Sequence, residues 1–243
     1  MPFSRSSHVY DFVHTKGRDY RSQAEQISKW IEERRPISRT LLDVACGTGL
    51  HLSYLRASYE VAGVDVCPAM VTIARSRNPG IFISVGDMRT FLVNKRFDVV
   101  MCLFSSITYA DTTDGLNITL ANFARHLNPG GLCIVEPYIP PEAWRDGVLG
   151  LRTAESEHLK VAMVDRAERS GSRVRREIAY VIATPGRVEQ IYEEHVFPLF
   201  TRSEYESAFR EVGFEVEFDD CGFTPGRGMY IGVLAAGGPG SSV

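Results

Sequence analysis

The stretch Leu41-Leu42-Asp43-Val44-Ala45-Cys46-Gly47-Thr48-Gly49 carries the strongest chemical signal in this 243-residue chain. Two glycines at a strand-to-helix turn let a ligand approach the backbone closely, with helix N–H groups facing it. A dinucleotide fingerprint, G-x-G-x-x-G/A, competes for the same residues. Its third small position is Leu52 here, too large for the close helix–strand contact that fingerprint needs. Asp65 stands 18 residues after Gly47 at the end of a second apolar run, where a carboxylate can accept both hydroxyls of an adenosine ribose. After a third run comes Gly86-Asp87-Met88, an acid suited to an adenine amino group beside a thioether that can pack on the ring. Leu103-Phe104-Ser105-Ser106 follows a fourth.

These residues need a scaffold that brings four strand ends together. Ala24, Ile27, Trp30 and Ile31 recur at helical spacing over 21–34, and Pro36 ends the run. Strands are expected at 40–44, 60–65, 81–85, 97–104 and 132–136. Helices are expected from Leu50, from Pro68 to Arg77, and over 113–126. Alternation of near-continuous apolar strands with helices is the pattern of a parallel sheet covered on both faces. Ligands in such sheets bind outside the carboxyl ends of the strands, where the four motifs lie.

Beyond Pro137 the pattern becomes alternating, with Val161, Met163, Val174, Ile178, Tyr180, Ile182, Val188 and Ile191 divided by Ser170-Gly171-Ser172 and Pro185-Gly186. Three or four antiparallel strands are expected, with Arg175, Arg176 and Glu177 on a solvated edge. A helix at 202–212 and strands at 214–218 and 229–234 complete the chain. The expected division is therefore 1–137 with 201–236 as one domain, 138–200 as an inserted antiparallel sheet on the substrate side, and 237–243 as a disordered tail.

Composition bounds the rest. With 44% hydrophobic and 23% charged residues, the chain reads as an ordinary globular protein, and a net charge of −3 offers no field for nucleic acid. No apolar run reaches membrane-spanning length, and the first residues lack the apolar stretch of a secretion signal. The five cysteines are scattered and never spaced C-x-x-C, so neither a disulfide framework nor a metal site is expected, and a reducing cytoplasm fits. Composition leaves a homodimer open.

Together the four motifs resemble those of class I S-adenosylmethionine-dependent methyltransferases, over about residues 10–136 and the final two strands. The resemblance implies an α/β fold, a Rossmann-like sheet with an antiparallel β insertion after strand five. It implies S-adenosyl-L-methionine as cofactor, with Tyr10, Arg18, Asp43, Ala45, Gly47, Thr48, Gly49, Asp65, Val66, Met70, Asp87, Met88 and Leu103 around it.

Further stretches resemble a narrower family, the TDP-3-amino-3,6-dideoxyhexose N,N-dimethyltransferases. They are Val9-Tyr10-Asp11, Lys16-Gly17-Arg18-Asp19-Tyr20, His51, Gly86-Asp87-Met88-Arg89, Phe104-Ser105-Ser106-Ile107, Val135-Glu136-Pro137, Leu199-Phe200-Thr201, Glu204-Tyr205 and Pro225-Gly226-Arg227-Gly228. This resemblance implies that Tyr10 and the N-terminal helical segment cover the cofactor, that Tyr20 lines the sugar pocket, and that Arg227 meets the pyrophosphate. A guanidinium between two glycines also suits bidentate phosphate binding. Ser105, Glu136 and Tyr138 join the substrate-side candidates.

Departures from the family pattern fall on that same side: Tyr109 stands where a histidine is usual, Tyr138-Ile139 where paired tryptophans are, and Ala179 for a histidine in the third inserted strand. His195 is retained. An amine nucleophile needs only to be unprotonated, so Tyr20, Tyr109 and His195 are expected to orient the acceptor, with no side chain an obligatory base. Glu136 is expected either to bond substrate or to cap its strand. N- or O-methylation of a finished natural product of lincosamide type, and a non-catalytic cofactor-binding protein, are the alternatives.

Overall fold

In a computed structural model describing residues 2–235, two sheets face each other across a cavity. The chain opens with two helices, α1 (Ser7–His14) and α2 (Tyr20–Arg34). The run β1 (Thr40–Val44), α3 (Leu50–Leu55), β2 (Glu60–Asp65), α4 (Pro68–Arg77), β3 (Phe82–Val85) and β4 (Phe97–Cys102) follows. A 3₁₀ turn, Ser106–Ala110, leads to α5 (Thr113–Arg125) and β5 (Leu127–Val135). Next come β6 (Leu149–Glu155), β7 (Lys160–Ser170), β8 (Arg173–Thr184) and β9 (Arg187–Pro198). The last elements are α6 (Arg202–Glu211), β10 (Phe214–Asp219) and β11 (Met229–Leu234). The tail expected at 237–243 lies outside the described residues.

The larger sheet has the order β10-β11-β5-β4-β1-β2-β3. Strands β1 to β5 run parallel and β11 is antiparallel to β5 and β10, giving the class I methyltransferase arrangement. Strand alternation sorts its core into two layers. Leu41, Val99, Met101, Leu132 and Ile134 face Ile27, Trp30 and Ile31 of α2, Leu52 of α3 and Val71 of α4. Leu42, Val100, Cys102, Cys133 and Val135 face Leu116, Leu120 and Phe123 of α5 and Phe209 of α6. Truncating one of these buried leucines, such as Leu42→Ala, would cost about 2–5 kcal/mol.

Caps fix where the helices begin. The Asp19 carboxylate accepts the Ser22 N–H at the start of α2, and Thr201 with Glu204 forms a capping box on α6. The first of these caps starts α2 at Tyr20, a buried residue that lines the cavity.

The smaller sheet is an antiparallel meander, β6-β7-β8-β9. Its inner face packs Val161, Met163, Ile178, Tyr180, Ile182 and Ile191 against Val9 and Val13 of α1. Two readings of this segment need correction. Strand β8 is flanked by β7 and β9, so Arg175, Arg176 and Glu177 are not on an edge. The period of two sends Arg175 and Glu177 to one face and Arg176 to the other, where it lines the cavity in an ion pair with Asp165. Val188 also turns outward and is exposed.

Candidate active site

The cavity has a volume of about 700 Å³, enough for two small ligands side by side. Its floor is built from the carboxyl ends of β1, β2 and β4 and the loops after them. The roof is the inner face of the smaller sheet, through Arg152, Asp165, Arg176 and Phe197. Tyr10 and His14 of α1 close one side.

On the floor, the chain leaves β1 with Ala45 at φ 59° and Gly47 at φ 54°. A Cβ built on Gly47 would meet nothing within 4 Å, so the loop opens onto free space. Asp65 binds this loop to its own: Oδ2 accepts the Gly47 N–H and Oδ1 the Cys67 N–H, both at 2.8 Å. Each oxygen keeps a lone pair, so the carboxylate can still take two ligand hydroxyls. Burial raises the pKa of Asp65. It raises that of Asp43 further, with the nearby Asp65 charge adding to the effect. A cationic ligand beside these two acids would relieve the cost of their charge, and a sulfonium bearing an α-ammonium group and a ribose has the right chemistry. The residues therefore fit S-adenosylmethionine.

Helix α1 is tied to the same loop. The Asp11 carboxylate accepts from Thr48 Oγ1 at 2.7 Å and from Arg77 Nη2 at 2.5 Å. Tyr10 stacks on His14 at 4.4 Å between ring centroids, and Arg18 lies over the Phe104 ring at 4.2 Å. Burial pushes the His14 pKa down to about 3, with Arg152, Arg18 and Arg176 adding to the effect. The Asp87 carboxylate is held through both oxygens by Arg89, so an adenine amino group would share it with that guanidinium.

At the end of β4 two further non-glycine residues adopt positive φ, Phe104 at 52° and Ser105 at 61°. Such positions cost about 1–3 kcal/mol each and cluster at functional sites. Glu136 holds them: Oε2 accepts the Phe104 N–H and Oε1 the Thr224 hydroxyl, both at 2.8 Å. Ser105 Oγ donates to the Pro137 carbonyl at 2.6 Å and accepts from Arg227 Nη1 at 2.9 Å. The Arg227 guanidinium lies 4.8 Å over the Tyr138 ring, and its buried Nε has no partner among the described residues.

Of the residues singled out from sequence, Tyr10, Arg18, Tyr20, Asp43, Ala45, Gly47, Thr48, Asp65, Val66, Met70, Asp87, Met88, Leu103, Ser105, Tyr109, Tyr138 and Arg227 line this one cavity. Three do not. Gly49 turns the chain instead; at φ 73°, a Cβ there would sit 2.6 Å from Asn78 Nδ2. Glu136 is fully buried and is not part of the cavity lining, so it positions the β4 loop through its two hydrogen bonds and does not face substrate. His195 stands behind Tyr109, its Nδ1 at 2.6 Å from the Tyr109 hydroxyl. Ala179 faces outward on β8, so that departure from the family pattern does not touch the cavity. His14, Arg152, Asp165 and Arg176 are cavity residues that sequence reasoning missed. Period 3.6 along α1 sets His14 beneath Tyr10, and period 2 along β8 separates Arg176 from its charged neighbours.

Comparison with known proteins bears on the family and the fold. Residues 41–131 match the family model described as a methyltransferase domain. The dTDP-3-amino-3,4,6-trideoxy-alpha-D-glucopyranose N,N-dimethyltransferase of Streptomyces venezuelae is 38% identical over 93% of this chain and 97% of its own length. The crystal structure of Streptomyces venezuelae DesVI superimposes with a TM-score of 0.90 at 37% identity, over 95% of this chain and 98% of that one. SAM-bound CalS10, an amino pentose methyltransferase from Micromonospora echinaspora involved in calicheamicin biosynthesis, gives 0.84 at 32% identity, over 97% of this chain and 98% of the other.

Proposed function

Because the chain belongs to the S-adenosylmethionine-dependent sugar N,N-dimethyltransferases, we propose that it methylates the amino group of a TDP-linked amino deoxysugar in antibiotic biosynthesis. S-adenosylmethionine, when bound, supplies an electrophilic methyl group on a sulfonium. In this reading Asp65 holds the ribose hydroxyls, Gly47 and Thr48 admit the amino-acid end, and Met88 packs on the adenine. Val66, Met70 and Leu103 wall the cofactor pocket, while Arg18 and Tyr10 close over it.

Arg227 takes the pyrophosphate, helped by Ser105, and Tyr20, Tyr109 and Tyr138 shape the sugar pocket. The place of Arg227 on the cavity wall carries this assignment: Nη1 donates to Ser105 Oγ at 2.9 Å, and the guanidinium still has donors to offer an anion. A neutral amine attacks without a base, so the rate comes from alignment, for which about 7–11 kcal/mol is available. A cytoplasmic location fits five cysteines that are all unpaired, and no described helix is long and apolar enough to cross a membrane. A homodimer is compatible with this reading.

The test is turnover with S-adenosylmethionine against TDP-amino sugars and against amino sugars already joined to a scaffold. Mass increments of one or two methyl groups on a nucleotide sugar are expected. Methylation of the scaffold-linked compounds alone would replace this substrate with the lincosamide-type one.

A further inference from the structure

Every methyl added to an amine leaves a proton on nitrogen, and that proton must go before a second methyl can be accepted. One hydrogen-bonded chain at the wall of the cavity is suited to take it. The Tyr109 hydroxyl lies 2.6 Å from His195 Nδ1, and His195 Nε2 faces Glu193 Oε2 at 3.4 Å. Glu193 is fixed from its other side, where Oε1 accepts the backbone N–H groups of Arg5 and Ser6, each at 3.1 Å. A carboxylate so placed keeps the imidazole proton on Nε2. His195 Nδ1 is then a bare acceptor, Tyr109 must donate to it, and the phenol oxygen turns a lone pair toward the cavity.

We propose that Tyr109, His195 and Glu193 form a proton relay that unloads the methylated ammonium and so permits the second methylation, a reading that rests on the amine acceptor proposed above. The N–H proton passes to the Tyr109 oxygen while the Tyr109 proton passes to His195 Nδ1. The products are a neutral methylamine, an intact phenol and an imidazolium facing Glu193. No electrons leave or enter, and the imidazolium returns its proton by the same route once the cavity opens. Tyr109 touches the acceptor; His195 and Glu193 are positioning residues that act through it.

The surroundings support this assignment. Arg176, opposite His195 on β8, is paired with Asp165 of β7. The N-terminal segment contributes the Phe3 ring at 4.5 Å. Tyr10 of α1 and Tyr138 after β5 are the other titratable groups close to Tyr109, and His14 lies beyond Phe3. Burial drives the Tyr109 pKa up, so the phenol stays protonated until it relays, and the His195 and Ser6 hydrogen bonds outweigh burial to hold the Glu193 pKa below its ordinary value.

Two measurements test the relay. In wild-type protein labelled with ¹⁵N at histidine, His195 is expected as the Nε2–H tautomer at neutral pH; an Nδ1–H tautomer overturns the relay whatever the substrate. His195→Asn keeps a polar group near the position of Nδ1 but accepts no proton, and Tyr109→Phe removes the link. With TDP-linked amino and methylamino sugars, both variants are expected to lose about 10- to 100-fold in kcat/KM for the methylamino substrate at about pH 6.5 and to approach wild type at about pH 9. Monomethyl product should accumulate. Profiles parallel to wild type overturn the relay alone. Failure of wild type to methylate any amino sugar overturns the acceptor reading, and the relay's role with it.

Discussion

Replacing Glu136 should separate the two halves of the cavity. In Glu136→Gln the amide oxygen can keep the Phe104 N–H, and the amide nitrogen can donate to Thr224 once that hydroxyl turns to accept. Both hydrogen bonds survive, but each loses its charge assistance, worth about 1 kcal/mol per bond or less. A total near 1–2 kcal/mol should lower Tm by about 3–6 °C in a chain of this size. Glu136→Ala instead leaves a buried N–H without an acceptor at a strained residue, and about 3–4 kcal/mol is expected. Arg227 and Ser105 share this network, so the acceptor KM should rise about tenfold in the Gln variant, equivalent to about 1.4 kcal/mol. Asp65 and the Gly47 loop are held separately, and S-adenosylhomocysteine affinity by calorimetry should change less than about threefold. Thermal unfolding, steady-state kinetics and calorimetry together decide it. A loss of S-adenosylhomocysteine affinity larger than the loss in acceptor KM would refute the positioning role.

In the proposed reading Asp65→Ala removes two charge-assisted hydrogen bonds to a ribose, and S-adenosylhomocysteine should then bind at least about 100-fold more weakly in calorimetry. The buried His14, with its pKa down to about 3, is neutral when folded, whereas the unfolded chain takes up a proton below about pH 6.5. Stability is thus lost as pH falls through that window, at about 1.4 kcal/mol per pH unit, and constant above it. Denaturant titrations of His14→Phe at several pH values should show a slope smaller by that amount; an unchanged slope would place the titration elsewhere. Arg227→Ala should raise the KM for a nucleotide sugar far more than for the same sugar without its nucleotide, and equal effects on both would remove the phosphate assignment.

The larger sheet was legible because its evidence is local. Apolar runs such as Leu41-Leu42 and Val99-Val100-Met101 end at Gly, Ser or Pro, and strand ends of a parallel sheet collect ligands. The antiparallel character of the smaller sheet likewise follows from the change to alternation after Pro137. What local pattern does not carry is which strand lies beside which. Arg175-Arg176-Glu177 looks like a solvated run until β7 and β9 are known to flank it; only then does Arg176 point into the site. Glu136 has the same difficulty. A carboxylate at a strand end reads as a ligand contact, and its partners, Phe104 and Thr224, are separated from it in sequence by 32 and 88 residues. His195 was visible as a residue, but its role depends on Tyr109, 86 residues away, and on the backbone of the N-terminal segment.

Methyl transfer to nitrogen can be observed directly. S-adenosylmethionine carrying an isotopically labelled methyl group would be incubated with the protein and a TDP-3-amino-3,6-dideoxyhexose, and the label located in the product by NMR. Label on the sugar nitrogen, first once and then twice, is the expected result. Label on oxygen, or no transfer to any amino sugar, would contradict it.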